Sequence, residues 1–195
     1  MGLLNSFRGW LGEAAGSLAQ RMRLDASIYH PLNNVTIMAA DGSTTQIDHV
    51  IASRHGIFVI EAKNMKGWIF GSEKDAQWTQ SLPGGRKFRF QNPLRQNYRH
   101  TKVLSEFLGI DHGLFHSIVM FWGECTFKTP MPPNVLNTGY TAYIKSKTVV
   151  VFSDSEVLRI REAIQTGRLP PTWATRRQHI DSVKWRHDDH HWGKN

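Results

Sequence analysis

Two apolar runs joined by a short polar turn constrain the fold of this chain more than any other stretch. The runs are "QIDHVIA" and "GIFVIEAK", and "SRH" followed by Gly56 separates them. Runs of this length, rich in β-branched residues and interrupted by so short a polar segment, are typical of a β-hairpin with a tight turn. We therefore predict a buried hairpin at residues 46–64.

Three ionisable residues lie within this hairpin: Asp48, Glu61 and Lys63. Side chains alternate between the two faces of a strand, so Glu61 and Lys63 share a face. If Ser53 pairs with Gly56 across the turn, then Asp48 lies opposite Glu61. By the same register, residue Gln46 lies opposite Lys63. Two opposed carboxylates, with Cβ atoms about 5 Å apart, repel each other, so the pattern predicts a compensating cation.

A divalent cation fits this pattern best, because clustered carboxylate oxygens are the ligands that Mg²⁺ prefers. Asp48 and Glu61 would hold Mg²⁺, for which Mn²⁺ can substitute. Lys63 would orient a water molecule or stabilise developing negative charge, which is the chemistry of phosphodiester hydrolysis. The alternative is a solvated strand face on which the lysine forms a weak surface salt bridge.

The remaining patterns predict a mixture of helices and strands, hence a mixed α/β class. Helical spacing covers about residues 3–24, "NNVTIMA" and "GWIFG" are predicted strands, and Asn92 with Pro93 begins a helix that Gly109 ends. Later strand candidates are "HSIVMFW" and "TVVVF". "SDSEVLRIREAI" is predicted as a helix capped near Ser153.

The length of 195 residues suits one domain with a full core. We place that domain at residues 1–170. Residues 171–195 are rich in Trp, Arg, His and Asp without apolar periodicity, and we expect a loosely ordered, basic and His-rich tail.

Basic residues exceed acidic ones by 24 to 16, which favours a polyanionic partner. Between residues 84 and 102 no acid occurs, and aromatic side chains lie among the basic ones, as stacking on bases requires. The alternative is a simple solvated basic face. The predicted nucleic-acid-binding residues are Arg86, Lys87, Arg89, Arg95, Arg99, His100 and Lys102.

Several classes of protein are disfavoured. Cys125 is the only cysteine, so neither an intrachain disulfide nor a thiolate metal cluster can form, and a cytoplasmic location is expected. No apolar run is long enough to cross a bilayer, so no membrane partner is expected. No GxxxxGK phosphate loop is present.

At this point the chain resembles a known family. Asp48 followed after twelve residues by Glu61-Ala62-Lys63 is similar to the PD-(D/E)xK nuclease signature. Together with Gly12-Glu13, "GWIFG", Trp78 and "QNPLRQNYRH", it resembles the NERD (nuclease-related) domain over roughly residues 9–125. The resemblance implies a restriction-endonuclease-like core, with a central mixed sheet flanked by helices and Asp48, Glu61 and Lys63 as the catalytic trio.

The resemblance also implies two further site residues. Glu13 on the first helix would reach the metal, and Gln96 would join the catalytic group. From the residues alone, Glu13 could instead form a surface pair. Gln96 and His100, four positions apart, could be a pair that faces solvent.

We therefore expect a Mg²⁺-dependent nuclease that acts on nucleic acid, with DNA preferred over RNA. The alternative is a catalytically silent nucleic-acid-binding module with the same fold. A third possibility is a domain recruited to a separate DNA-processing protein.

Overall fold

A computed structural model describes residues 24–170 together with Thr172 and Thr175. The predicted N-terminal helix, apart from Leu24, and the predicted tail, apart from those two threonines, lie outside the described residues. Within them, no helix is both long enough and apolar enough to cross a membrane.

The described residues form nine strands and three α-helices. The strands are β1 (Tyr29–Met38), β2 (Thr44–Ser53), β3 (Gly56–Asn64), β4 (Gly67–Phe70), β5 (Gln77–Ser81), β6 (Lys87–Gln91), β7 (Phe115–Trp122), β8 (Cys125–Phe127) and β9 (Val135–Leu136). The helices are α1 (Pro93–Leu108), α2 (Tyr140–Lys145) and α3 (Asp154–Gly167).

The strands build two sheets. The larger has the order β1-β2-β3-β7-β9, with antiparallel pairs at β1–β2 and β2–β3 and parallel pairs at β3–β7 and β7–β9. The smaller has the order β6-β5-β4-β8, in which only β4–β8 is parallel. In the chain, β4 follows β3 and β8 follows β7. The parallel pair β3–β7 of the larger sheet is therefore followed by the parallel pair β4–β8 of the smaller sheet. The predicted mixed α/β class is confirmed.

The larger sheet is covered on both faces. On one face, Val103 and Leu104 of α1 and Val157 and Ile160 of α3 pack against β1, β2 and β3. On the other, Ile144 of α2 packs with the apolar residues of β3 and β7. Burial on both faces explains why the strands of the central hairpin are so apolar.

The predicted turn of the central hairpin is confirmed. β2 and β3 pair from Ser53 with Gly56 to His49 with Ile60, which is the predicted register. Gly56 has a φ of 114°, a left-handed conformation that favours glycine.

The pairing of β2 with β3 ends at His49, one residue before the predicted acidic pair. The predicted directly opposed pairs, Asp48 with Glu61 and Gln46 with Lys63, are therefore wrong. On its other side, β2 also loses its partner at Asp48, because the pairs with β1 skip from His49 to Ile47. Asp48 thus lies where β2 leaves β3 and where its pairing with β1 is interrupted for one residue.

A change in β1 accompanies this separation. Asn34, the residue of β1 that the pairing skips, has a φ of 53°, which is uncommon for a residue other than glycine. The paired residues before it (Leu32, Val50) and after it (Val35, Ile47) belong to the same apolar core. Strict alternation would place the two pairs on opposite faces, so both strands bulge at Asn34 and Asp48.

Two predicted helix starts are confirmed. The Asn92 side chain accepts a hydrogen bond from the Leu94 N–H, Pro93 is the first helical residue, and Gly109 ends α1 in a left-handed conformation. Ser153 and Glu156 form a reciprocal capping box at the start of α3.

The predicted strand "TVVVF" is wrong. Residues 148–152 form no strand, and the Val149 and Val150 side chains are exposed. The Val151 and Phe152 N–H groups donate to the Arg54 carbonyl oxygen at the hairpin turn instead. β-branched residues favour a strand only where a sheet edge is available to pair with them.

Candidate active site

Asp48 occupies the gap that opens between β2 and β3. Its Oδ2 accepts a hydrogen bond of 2.9 Å from the backbone N–H of Ala62. The carboxylate therefore takes the place that a β2 carbonyl oxygen would occupy if the two strands stayed paired. This bond fixes Asp48 beside the two residues that flank Ala62 in the chain.

Glu61 is almost fully buried, with 3% of its surface exposed, and both of its carboxylate oxygens have partners. The Lys63 Nζ donates to Oε1 at 2.6 Å, and the His100 Nε2 lies 3.2 Å from Oε2. Burial alone would raise the pKa of Glu61, but the His100 hydrogen bond and the Lys63 charge outweigh it and lower the pKa. Glu61 is thus held as a carboxylate.

Asp48 has the opposite electrostatic balance. Burial and then the negative charge of Glu61 raise the pKa of Asp48 to about 7, against an ordinary value of 3.8. The hydrogen bond from Ala62 and the Lys63 charge lower it only partly. The two carboxylates therefore interact, as the sequence predicts, although their backbones are not directly paired.

Lys63 bridges the strand and the helix that covers it. Besides its bond to Glu61, its Nζ donates to the Gln96 Oε1 of α1 at 3.0 Å. An ammonium group has three N–H donors, so the two bonds that Lys63 donates leave one N–H for a further acceptor. The Lys63 side chain keeps 19% of its surface exposed, so the amine is accessible at the edge of the site.

A buried chain of hydrogen bonds continues behind Glu61. The Thr45 Oγ1 lies 2.6 Å from the His100 Nδ1, and His100 is only 4% exposed. Because the Glu61 carboxylate can only accept, the His100 Nε2 must carry the proton it donates. Thr45 in β2 and His100 in α1 thereby hold Glu61 from the side opposite Lys63.

The structure therefore brings together Asp48, Glu61, Lys63 and Gln96 of the predicted site. The alternative in which Gln96 and His100 face solvent is wrong, since both contact the acidic pair or its lysine. Thr45 was not predicted, and its role carries no sequence signal because it depends on how α1 docks on the sheet. Glu13 lies outside the described residues.

The donor set for a metal is small in the described part of the chain. No group of three or more His, Cys, Asp and Glu side chains there lies close enough together to hold an ion. The carboxylates that could take part are Asp48 and Glu61. Two carboxylates are a sufficient protein contribution for Mg²⁺, which usually keeps several water ligands.

The predicted nucleic-acid-binding residues separate into two groups. Arg86, Lys87 and Arg89 lie on the β5–β6 hairpin with exposed side chains. The others lie on α1: Arg95 donates to the Lys74 carbonyl oxygen, Arg99 bonds to the Ser43 hydroxyl, Lys102 is partly exposed, and His100 belongs to the buried chain described above.

Comparison with known proteins gives a family match and two curated relatives. The family model of the nuclease-related domain (NERD) matches residues 8–122, more than half of the chain. An uncharacterized protein of Bacillus anthracis is 44% identical over 121 residues, which cover 61% of this chain and 56% of that protein. The probable kinase PglW of Streptomyces coelicolor is 29% identical over 97 residues, which cover 49% of this chain and 6% of that protein.

The chain thus spans about half the length of the first relative and a small part of the second. No solved structure matches the chain.

Proposed function

The chain belongs to the nuclease-related domain family, and we propose that it is a metal-dependent nuclease that hydrolyses phosphodiester bonds of DNA. Membership confirms the resemblance drawn from the sequence, and with the mixed sheet it confirms the restriction-endonuclease-like core. The observation that carries the proposal is the cluster of two interacting carboxylates and one lysine amine at the point where β2 and β3 separate.

The residues fit a hard divalent cation. The raised pKa of Asp48 reflects a carboxyl that is largely removed from water and lies near a second negative charge. A cation between the two carboxylates would offset both the cost of burying the charge and the repulsion. Mg²⁺ is the expected ion, with Mn²⁺ as a substitute, and Glu13 remains a proposed third ligand. When bound, the metal supplies Lewis-acid activation of the phosphate and of a water molecule.

Lys63 is proposed to act on the substrate itself. Glu61 and Gln96 hold its Nζ from two sides, which leaves one donor for a non-bridging phosphate oxygen. A fixed donor at that place stabilises the negative charge that develops as the phosphodiester bond breaks. Gln96 is therefore a positioning residue, and it acts through Lys63.

Glu61 is prepared for ion binding by its neighbours. A carboxylate binds a metal only in its ionised form, and the His100 hydrogen bond together with the Lys63 charge keeps Glu61 ionised. His100 and Thr45 have no access to a substrate because both are buried. Their proposed role is to fix the Glu61 side chain.

The exposed basic residues of the β5–β6 hairpin are proposed to contact the phosphate backbone. No acidic residue occurs between residues 84 and 102, the segment that contains Arg86, Lys87 and Arg89. Phosphate contacts of this kind give affinity without sequence preference and weaken as salt rises. A cytoplasmic location and a separate DNA-processing partner remain predictions from the sequence.

A cleavage assay tests the proposal. The purified full chain is incubated with plasmid, linear duplex DNA, single-stranded DNA and RNA in Mg²⁺, Mn²⁺ or EDTA. We expect metal-dependent DNA cleavage that is lost in Asp48→Asn and in Lys63→Met. Lys66→Met, which removes an exposed lysine outside the site, is the matched control and should cleave normally.

Cleavage that persists in EDTA, or that survives both site substitutions, would contradict the proposed centre. DNA binding without cleavage in any metal would instead favour the catalytically silent module.

A further inference from the structure

One face of the smaller sheet is uncovered although it carries large aromatic side chains. Trp68 of β4 is 53% exposed, and Phe70, two residues on, is partly exposed. Ile69 between them and Trp78 of β5 are fully buried on the opposite face, where they join the core around Phe121. Trp68 and Phe70 therefore define an outer face that the described residues leave open.

Strand pairing places cations on this same outer face. Directly paired residues share a face of a sheet, and Trp68 pairs with Ser81, which pairs with Lys87. Phe70 is likewise aligned with Arg89 through Thr79. Two strand spacings of about 4.8 Å separate each aromatic ring from its aligned cation.

The charged side chains in the strands that form the outer face are all basic. The four strands of the smaller sheet contain no Asp or Glu, and Lys128, directly after β8, lies with its Nζ 4.9 Å from the centre of the Trp68 ring. This cation–π contact occupies one side of the indole and holds the ring in place.

We propose that this outer face is a stacking platform for unpaired bases of single-stranded DNA, so that DNA with a single-stranded segment is the substrate class of the nuclease. The assignment of a substrate class rests on the proposed nuclease function, whereas the binding of single-stranded DNA does not depend on it. Exposed aromatic rings with cations one or two strands away match what single-strand binding requires, since bases stack on the rings and phosphates pair with the cations.

The chain path connects the platform to the candidate active site. Trp68 follows Lys63 by five residues, and five residues span at most about 17 Å when fully extended. Stacked bases in a strand rise about 3.4 Å each, so a strand on the platform would reach Lys63 within about five nucleotides. β6 also leads directly into α1, which carries Gln96.

The charge pattern favours single-stranded DNA over the other occupants of an apolar face. A second protein would meet three cations without an acid among these strands, whereas a polyanion is complementary to them. In duplex DNA the base faces are already stacked on each other, so the rings of Trp68 and Phe70 would find no partner. RNA is left as an outcome of the test.

A binding assay with a matched control tests the proposal. The probes are fluorescein-labelled (dT)15, (U)15 and a 15-base-pair duplex, measured by anisotropy with the full chain in EDTA to prevent cleavage. We expect Trp68→Leu to weaken (dT)15 binding by about tenfold and duplex binding by less than twofold. Phe88→Leu is the control, because Phe88 is 49% exposed on the same sheet but aligned with the buried Ile69 on the opposite face.

A photocrosslink gives a second measurement that needs no variant. A (dT)15 probe with one 5-iodouracil, irradiated in complex with the wild-type chain, should crosslink to tryptic peptide 67–74, which contains Trp68 and Phe70. The platform is refuted if Trp68→Leu binds (dT)15 as the wild type does, if Phe88→Leu loses as much affinity, or if the crosslink falls elsewhere. Binding of (U)15 equal to or tighter than that of (dT)15 would overturn the assignment to DNA.

Failure of the platform and failure of the nuclease proposal are distinguishable. If Trp68→Leu loses (dT)15 binding but the wild-type chain cleaves nothing in any metal, the platform proposal is supported and the nuclease proposal fails. If the wild-type chain shows metal-dependent cleavage but Trp68→Leu binds (dT)15 as tightly as the wild type, the nuclease proposal is supported and the platform proposal fails.

Discussion

Asp48→Asn is expected to stabilise the metal-free protein while it abolishes cleavage. In the wild type, burial and the charge of Glu61 both disfavour the Asp48 carboxylate. The amide of asparagine is uncharged and nearly the same size, and its oxygen can still accept the hydrogen bond that Ala62 donates. The substitution therefore removes an unfavourable charge without opening a cavity.

The pKa of Asp48 sets the size of the effect. Its rise from 3.8 to about 7 corresponds to about 4 kcal/mol before screening, at ~1.4 kcal/mol per pH unit. Asp48 is partly exposed, and solvent screening reduces that figure. We expect the variant to gain about 1–3 kcal/mol in unfolding free energy at pH 8.

The gain should depend on pH in a defined direction. Because the folded state binds the Asp48 proton more tightly than the unfolded state, wild-type stability falls relative to the variant as pH rises from about 4 to about 7. Below pH 4 the aspartic acid is protonated in both states, so the charge term vanishes. Above pH 7 it is fully present, and the difference between the two proteins becomes constant.

Urea unfolding in EDTA at pH 5, 6, 7 and 8 measures the difference. Glu106→Gln, which removes an exposed acid of α1, is the charge-matched control and should show no such trend. Added Mg²⁺ should stabilise the wild type but not the variant, since a ligand that binds only the folded state raises its stability. The electrostatic reasoning would be refuted if Asp48→Asn were less stable than the wild type at pH 8, or if the difference in unfolding free energy between the two did not change with pH.

Four further predictions concern the neighbours of the site and the frame that holds them. Gln96→Ala should lower the single-turnover cleavage rate by about tenfold with little change in DNA affinity, because Lys63 loses one of its two acceptors; an equal loss of affinity would contradict a positioning role. Thr45→Val should cost about 1–3 kcal/mol in urea unfolding, because the buried His100 Nδ1 loses its partner, whereas Thr79→Val on the open sheet face should cost less. Gly56→Ala should cost about 1–3 kcal/mol from backbone conformation alone, and more because the new Cβ would lie 2.8 Å from the Leu114 carbonyl oxygen; a neutral effect on thermal unfolding would disprove the tight turn. Ser153→Ala should cost about 1 kcal/mol by removing the capping box of α3, and Gln165→Ala, an exposed position in the same helix outside the capping box, is the control.

Local sequence signals were sufficient for the central hairpin and the helix ends. The turn at Gly56 and the caps at Asn92 and Ser153 each depend on a few adjacent residues, and the structure confirms all three. The "TVVVF" prediction failed because strand formation also depends on residues distant in the sequence. Its β-branched residues have strand propensity, but whether an edge lies beside them depends on the whole fold.

Four residues predicted for the site, Asp48, Glu61, Lys63 and Gln96, lie close together, but their geometry differs from the prediction. Ideal alternation places Glu61 and Lys63 on one face, and their bond of 2.6 Å agrees with that. The same ideal pattern wrongly pairs Asp48 with Glu61, because it assumes regular strands without a bulge. Asn34, whose left-handed backbone accompanies that bulge, lies in a different strand from Asp48, so no local reading of the hairpin could include it.

The position of α1 decides whether the site is complete, and a buried amide sets that position. Asn97 donates through its Nδ2 to the Val59 carbonyl oxygen, the Ser117 hydroxyl and the Ile118 carbonyl oxygen, which ties the helix to both β3 and β7. Apolar contacts alone tolerate small slides of a helix along a sheet, whereas hydrogen bonds to fixed backbone atoms do not. Gln96 precedes Asn97 and His100 follows it by three residues, so anchoring Asn97 fixes the two side chains that hold Lys63 and Glu61. A chain with an intact acidic pair but without this anchor would keep the donors of the site and lose their alignment.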